Sequence, residues 1–194
     1  MNHLAHFLLA SHYQPIPLAD SLSGAFLGDH IKGRLQSRFP EAIEQGIALH
    51  RRIDAYTDRH ARVKTACQRF EDPFRRFAPI MVDLVFDYHL ANHWQTYHGE
   101  SLVAFNDKIF SLMASRLHLF PDKPRAHLLA MKDRRVLLSY DQPEFLQRSL
   151  IYLSTRIKRE NPLQAAFPVL QKALPELESD FHAFFPELLQ MIRQ

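Results

Sequence analysis

Residues 80–94, IMVDLVFDYHLANHW, constrain the fold more than any other part of this sequence. The segment is almost wholly apolar, so we expect a helix that is buried on most of its surface. It also carries Asp83 and Asp87, whose Cβ atoms would lie about 5–6 Å apart on one helix face. Burying two bare carboxylates would cost several kcal/mol each. A metal ion or a group of Arg and His side chains must therefore compensate them.

A second polar stripe lies upstream, where His50, Asp54 and Asp58 follow one another at intervals of four residues. On a helix each such step advances about 40°, which places the three side chains on one slowly drifting face. Two alternatives to a metal site stay open. The stripe on this helix has the spacing of an ordinary solvated charged face, and structural ion pairs would account for Asp83 and Asp87. Carboxylates combined with imidazole favour a divalent cation such as Mn²⁺, Mg²⁺ or Fe²⁺ over a thiolate-type zinc site.

Two further candidates come from the first 33 residues. Asp29 lies in the apolar segment SLSGAFLGDHIKG, which we expect to be helical, and its glycines Gly24, Gly28 and Gly33 permit close approach of a helix or ligand. A carboxylate near a helix C-terminus opposes the helix dipole unless a cation compensates it, although an ordinary surface aspartate fits the pattern too. His6 lies in NHLAHFLL, where it is compatible with a core histidine or with a site residue.

Basic side chains stand close in sequence to these acids, and Arg recognises phosphate through a planar fork of donors. A cation surrounded by carboxylates and guanidinium groups is typical of metal-dependent phosphoester hydrolysis. The sequence contains no GxSxG and no Gly-rich phosphate loop, and Cys67 lies in a plain amphipathic helix, so nothing favours nucleophilic catalysis. The candidate phosphate-binding residues are Lys32, Arg51, Arg52, Arg75 and Arg76.

The pattern predicts one all-α domain over residues 1–194 with several helices. Strand-like alternation is weak, only five glycines are present, and several prolines stand where a helix would begin. No repeat, Gly/Ser linker or compositional break divides the chain. The expected helices span residues 20–33, 40–59, 61–71, 75–98, 101–117, 123–132, 143–159, 162–172 and 175–192.

Charge and composition indicate the kind of binding partner and the cellular compartment to expect. The formal net charge is +3, and the chain is more basic once the five candidate aspartates are assigned to an inward-facing site, so an acidic partner is expected. The basic residues, such as Arg156 and Lys158, are scattered without a nucleic-acid-binding motif, which argues against nucleic acid. The sequence has no membrane-length apolar run, no basic signal-peptide region and one cysteine, Cys67. We therefore expect a cytoplasmic protein without membrane contact.

Five separated motifs resemble the bacterial acyl carrier protein phosphodiesterase family, which is similar to divergent HD-type metal-dependent phosphohydrolases. The resemblance runs in the same order from residue 1 to about 189. It implies an HD-phosphohydrolase-like helical fold and hydrolysis, with Mn²⁺ preferred, of the phosphodiester that joins 4′-phosphopantetheine to a serine of acyl carrier protein. The motifs are MNHLAHFLLA, GAFLGDHIKGR (24–34), GIALHRRIDAYTDRH (46–60), RRFAPIMVDLVFDYHLANHW (75–94) and DFHAFFPELL.

The resemblance also implies roles for individual residues. We expect the metal ligands to be Asp29, His50, Asp54 and Asp87. Asp29 would also take part in catalysis, together with His6, Asp58 and Asp83. His6 is the reserve choice for the imidazole ligand, because no adjacent His-Asp dyad is present.

One departure from the family pattern concerns residues 87–89. Some members have Asp-His-Phe where this chain has Asp87-Tyr88-His89, and His89 is expected to point to a different side of its helix from Asp87. Two other functions stay open. One is an HD-like phosphohydrolase that acts on a nucleotide or another small phosphodiester, and the other is a non-catalytic helical module that docks carrier protein.

Overall fold

The computed structural model describes residues 1–193, and over this span the chain is α-helical without a β-strand. This confirms the predicted all-α fold class. Short 3₁₀ segments cover Arg75–Phe77, Leu117–Leu119, Val136–Ser139 and Leu163–Ala165. The α-helices are α1 (His3–His12), α2 (Leu18–Leu27), α3 (Glu41–Arg59), α4 (Ala61–Gln68), α5 (Ala78–Asn92), α6 (Trp94–Tyr97), α7 (Leu102–Ala114), α8 (Asp122–Asp133), α9 (Pro143–Arg156) and α10 (Phe167–Arg193).

The N-terminal helices differ most from the sequence-based expectation. Helix α1 was not predicted, because its residues 4–10 are all buried and therefore show no polar face. Helix α2 ends at Leu27, whereas the sequence predicted a helix that continues to residue 33. The predicted helix over 75–98 is divided into a 3₁₀ turn, α5 and α6, with a break at His93.

Helix α10 is one continuous helix of 27 residues, so the predicted division into 162–172 and 175–192 was wrong. Pro175 and Pro186 lie inside it, and each lacks the N–H that would continue the hydrogen-bond ladder. The helix nevertheless buries Leu177, Phe181 and Leu188 fully. Burial of side chains of this size contributes about 1.5–3 kcal/mol each, enough to offset the backbone penalty of the prolines.

Helices α2 and α3 pack more closely than side chains would normally allow. A Cβ added at Gly24 would lie 2.5 Å from the backbone of Gly46, so only glycine fits at this crossing. Asp20 at the start of α2 is also held by two hydrogen bonds from Arg116, of 2.5 and 3.2 Å. The close crossing brings the C-terminal end of α2 against the middle of α3, where His50 lies.

The buried apolar side chains form one continuous cluster that includes residues of α1, α2, α3, α5 and α10. Arg69, the residue that follows α4, donates to both oxygens of Asp180 on α10, at 2.6 and 3.2 Å, and fixes α4 against α10 at the edge of the cluster. None of the helices within residues 1–193 has both the length and the apolar character needed to cross a bilayer.

Candidate functional site

Asp87 lies on α5 beneath the first turn of α1 and is almost fully buried, with 1% of its surface exposed. Its Oδ2 accepts a hydrogen bond from Leu4 N at 2.8 Å, and its Oδ1 accepts one from Asn2 N at 3.3 Å. Burial raises the pKa of Asp87 to about 7, while the amino terminus and the backbone N–H groups limit the rise. The carboxylate therefore satisfies the free N–H groups of a helix N-terminus. It positions α1, which carries His3 and His6.

His6, His50 and Asp54 form a compact cluster between α1 and α3. His6 Nε2 lies 3.1 Å from Asp54 Oδ1, and His50 Nε2 lies 3.2 Å from Asp54 Oδ2. The two imidazole rings stack at a centroid distance of 3.9 Å with an interplanar angle of 16°. One ligand atom from each of the three residues lies within 4.8 Å of the others, a spacing that suits a shared metal ion.

The orientation of His50 is fixed from the α2 side. Its Nδ1 donates to the carbonyl of Ala25 at 2.8 Å, and this bond directs Nε2 towards Asp54. A Cβ at Gly28 would lie 2.2 Å from His50 Cγ, so the missing side chain makes room for the ring. The prediction that Gly24 and Gly28 allow close approach is confirmed, whereas Gly33 occupies a turn at φ +76°.

Asp29 lies in a turn after the end of α2, so the prediction that it lies within a helix over 20–33 was wrong. Its Oδ1 lies 3.7 Å from His50 Nε2, and its Oδ2 lies 3.4 Å from His3 Nδ1. The side chain is 48% exposed, so it lines an open cleft beside the cluster. Asp29 is therefore placed to contact both a molecule in the cleft and the histidines.

The protonation states of these groups are set by burial and by one another. Burial would raise the pKa of Asp54, but hydrogen bonds from His50 and His6 hold it well below its usual range. Burial would also raise the pKa of Asp29, yet the imidazoles of His3, His50 and His6 keep it below its usual value. Burial lowers the pKa of His6 and brings that of His3 to about 4. At neutral pH both carboxylates are thus ionised, and His3 and His6 are neutral.

Asp58 and Asp83 lie beside this cluster. Asp83 is 41% exposed and accepts a hydrogen bond from the amino group of Met1 at 2.9 Å. Asp58 is exposed on the last turns of α3, and burial together with the charge of Asp83 raises its pKa. Asp58 is therefore not buried in the site as expected, and its catalytic role stays a prediction.

The predicted phosphate-binding residues have other surroundings. Arg51 Nη2 donates to the carbonyl of Ile31 at 2.8 Å and anchors the loop that follows α2. Arg52 stacks over the ring of Tyr13 at 5.8 Å and lines a separate cavity, and Arg75 donates to the carbonyls of Phe70 and Gln68. Lys32 and Arg76 are exposed. The contacts of Arg51, Arg52 and Arg75 are those of structural residues.

A cavity of about 480 Å³ is lined by His3, whose Nδ1 lies 3.4 Å from Asp29 Oδ2. Its wall is mainly apolar and comes from α5, α8 and α9, and two exposed arginines, Arg134 and Arg148, line its mouth. Burial, with the charges of Asp87 and Asp29, raises the pKa of the lining residue Tyr140 well above its usual value. Further lining residues are Asn2, Leu84, His127, Met131, Phe145, Tyr152 and Leu153.

The sequence patterns did not indicate His3 as a site residue, nor the cavity. His3 could have been found from its spacing, because His3 and His6 lie three residues apart in NHLAHF and so share one helix face. The cavity has no comparable signal, because its residues follow the same apolar pattern as core positions.

The donor set of His6, His50 and Asp54 fits a divalent cation. Two imidazoles and a carboxylate are ordinary ligands of Mn²⁺, Fe²⁺ or Zn²⁺, and the His50 ring has the backbone hydrogen bond that typically orients a metal-binding histidine. Buried His6 Nδ1 has no hydrogen-bond partner among residues 1–193, so the His6 ring lacks the orienting bond that His50 has. Asp87, whose oxygens accept backbone N–H groups, fits better as a positioning residue than as a ligand.

Comparisons with known proteins are consistent with one family over nearly the whole chain. A family model described as acyl carrier protein phosphodiesterase matches residues 1–188. A protein of that name from Pectobacterium atrosepticum is 33% identical over 195 residues, which cover all of this chain and 98% of the relative. Relatives of the same name from Enterobacter sp. and Escherichia coli are 34% and 31% identical over at least 96% of each chain. No solved structure matches significantly.

Proposed function

The chain belongs to the acyl carrier protein phosphodiesterase family, and on that premise we propose that its cleft hydrolyses the phosphodiester between 4′-phosphopantetheine and a serine of acyl carrier protein. The products would be apo-carrier protein and 4′-phosphopantetheine. The observation that carries this proposal is the position of the His6, His50 and Asp54 cluster. It adjoins Asp29, which lies 3.4 Å from His3, a residue that lines a mainly apolar cavity.

We assign the metal ligands to His6 Nε2, His50 Nε2 and the Asp54 carboxylate, with Asp29 beside them. Mn²⁺ is the proposed ion, with Mg²⁺ or Fe²⁺ as substitutes. A divalent ion bound there supplies Lewis-acid activation of water and of the phosphoryl group. Asp87 holds α1 in place and so sets the position of His6.

Asp29 is the proposed proton acceptor for the attacking water. It is ionised at neutral pH, half exposed to the cleft, and in contact with His3 and His50. A carboxylate in that position can take a proton as the water attacks phosphorus. His3 is neutral and orients Asp29 from the cavity side, and Asp83 holds the amino end of α1.

The cavity is the proposed site for the pantetheine arm. Its volume of about 480 Å³ lies within the range of about 300–1,000 Å³ that is typical of small-molecule sites. Its apolar wall suits an extended arm and a thioester-linked chain. Arg134 and Arg148 at the mouth would contact the acidic carrier protein. In this proposal they take the substrate-binding role that the sequence had suggested for Arg51, Arg52 and Arg75.

A cytoplasmic location of the protein stays a prediction.

The direct experiment is a product analysis with purified holo-acyl carrier protein and Mn²⁺. We expect apo-carrier protein and free 4′-phosphopantetheine, identified by mass spectrometry. Hydrolysis of nucleotides or small phosphodiesters without attack on holo-carrier protein would indicate the other phosphohydrolase function. Binding of holo-carrier protein without any product would indicate a non-catalytic docking module.

A further inference from the structure

A second cluster of metal-binding side chains lies between α5 and α10. His93 Nε2 lies 2.5 Å from Glu178 Oε1, and His182 Nε2 lies 3.8 Å from the same oxygen. Ligand atoms of His89, His93 and Glu178 all fall within 4.8 Å of one another. Glu178 and His182 lie four residues apart on one face of α10, whereas His89 belongs to α5 and His93 is the residue that ends it.

The buried member of this cluster is His89, which is 3% exposed. Its Nε2 makes no hydrogen bond of acceptable geometry within the described part of the chain. A buried ring nitrogen without a partner costs free energy comparable to a lost hydrogen bond. As predicted, His89 does not face the site around Asp87; it faces α10.

The other side chains are already oriented. His182 Nδ1 makes a hydrogen bond of 2.9 Å with the hydroxyl of Tyr97, which leaves Nε2 directed towards Glu178. The His93 and His182 rings pack edge to face at 4.6 Å. An outer hydrogen bond on one imidazole nitrogen is the usual way in which a protein presents the other nitrogen to a metal. A simple His93–Glu178 ion pair would not explain the unpartnered nitrogen of His89.

We infer that His89, His93, Glu178 and His182 form a second metal site, which binds a transition-metal ion such as Zn²⁺ and joins α5 to α10. Three imidazoles and one carboxylate are suited to four-coordinate Zn²⁺, Co²⁺ or Ni²⁺, whereas the hard ions Mg²⁺ and Ca²⁺ prefer oxygen ligands. The site lies outside the proposed active site, so its role is structural. Bound metal would stabilise the folded chain, because the unfolded chain lacks the preformed site.

The test is zinc binding by the full chain after removal of metal with a chelator, measured by equilibrium dialysis and elemental analysis. The decisive variant is the double change His93→Ala and His182→Ala. The control is His118→Ala, which removes an exposed histidine outside the cluster. Asp54→Ala removes the proposed active-site ligand and separates the two sites.

We expect the double variant to bind one Zn²⁺ fewer per chain than wild type, while His118→Ala and Asp54→Ala keep that ion. Zinc should also raise the melting temperature of wild type and His118→Ala but not that of the double variant. The single variant His182→Asn, at a partly exposed position, should bind this ion about 10-fold more weakly or worse. Equal zinc stoichiometry and equal thermal shifts in wild type, the double variant and His182→Asn would overturn the inference. So would a loss of the same size in His118→Ala.

Discussion

His6 and His50 stack at a ring-centroid distance of 3.9 Å, and each directs its Nε2 to a different oxygen of Asp54. The two imidazoles come from α1 and α3, which 28 residues of chain (13–40) separate, and each is held from its own side. Asp87 fixes the first turn of α1, which carries His6, and the carbonyl of Ala25 accepts a hydrogen bond from His50 Nδ1. The geometry of the candidate metal centre is therefore set by contacts outside it.

The first prediction concerns metal binding at this centre. Asp54→Asn should weaken Mn²⁺ binding by about 10-fold or more, because it removes a ligand that contacts both histidines. Isothermal titration with Mn²⁺ measures the change. Asp133→Asn, at an exposed position, is the matched control and should bind as wild type does. Unchanged Mn²⁺ affinity in Asp54→Asn would place the ion elsewhere.

Asp29→Asn should lower kcat by about 10²–10⁴-fold, the usual range for loss of a general base. Mn²⁺ binding should be retained, because the His6, His50 and Asp54 cluster stays intact. The measurements are steady-state turnover of holo-carrier protein and a Mn²⁺ titration on the same preparation. Normal turnover in a folded Asp29→Asn protein would remove Asp29 from the mechanism.

Gly28→Ala should displace the His50 ring, because the new Cβ would lie 2.2 Å from His50 Cγ. Overpacking of this kind typically destabilises by about 1–3 kcal/mol, and here it should also reduce turnover. Gly99→Ala is the control, since no described atom lies within 4 Å of its added Cβ. Chemical denaturation and turnover should separate the two variants. Equal behaviour would show that the close approach of Gly28 and His50 has no functional consequence.

Asp87 should make folding stability depend on pH. Its pKa is about 7 in the folded chain against 3.8 for an unperturbed aspartate, so the native state holds a proton that the unfolded chain releases. The contribution of this proton to the free energy of unfolding is complete below about pH 4. It decreases by up to about 4 kcal/mol as the pH rises through about 7. Denaturant unfolding of wild type and Asp87→Asn from pH 4 to 8 measures it. If the difference between the two proteins does not change with pH, the carboxyl titrates normally.

Recognition of the carrier protein should depend on charge at the cavity mouth. The double change Arg134→Glu and Arg148→Glu should raise KM for holo-carrier protein about 10-fold, with little change in kcat, and should weaken the dependence of KM on ionic strength. Arg62→Glu, on the exposed surface of α4, is the control. A KM that is independent of salt in wild type would indicate recognition through apolar or pantetheine contacts.

The sequence predicted the parts of the site that depend on local spacing. His50 and Asp54 lie four residues apart on one helix, and the structure brings them into contact at 3.2 Å. The sequence could not predict what Asp87 contacts, because the same apolar helix face can present a carboxylate to a metal or to the free N–H groups of another helix. Only the packing of α1 against α5 decides between these.

The remaining differences have similar causes. Helix α1 is buried around most of its circumference, so it lacks the amphipathic period that indicates a helix. In α10, the proline positions indicated a break, but burial of Phe181 and Leu188 sustains one helix. The cavity forms where α8 and α9 meet α5, and such long-range packing leaves no local pattern in the sequence.

The most direct test of the account is single-turnover release of 4′-phosphopantetheine from holo-acyl carrier protein by wild type and by folded His50→Ala, each with and without Mn²⁺. We predict release by wild type with Mn²⁺ and its loss after chelation of the metal. His50→Ala should show no release above background under either condition, although its circular dichroism matches wild type. Release by His50→Ala at the wild-type rate, or release by wild type that survives complete removal of metal, would contradict the proposed centre.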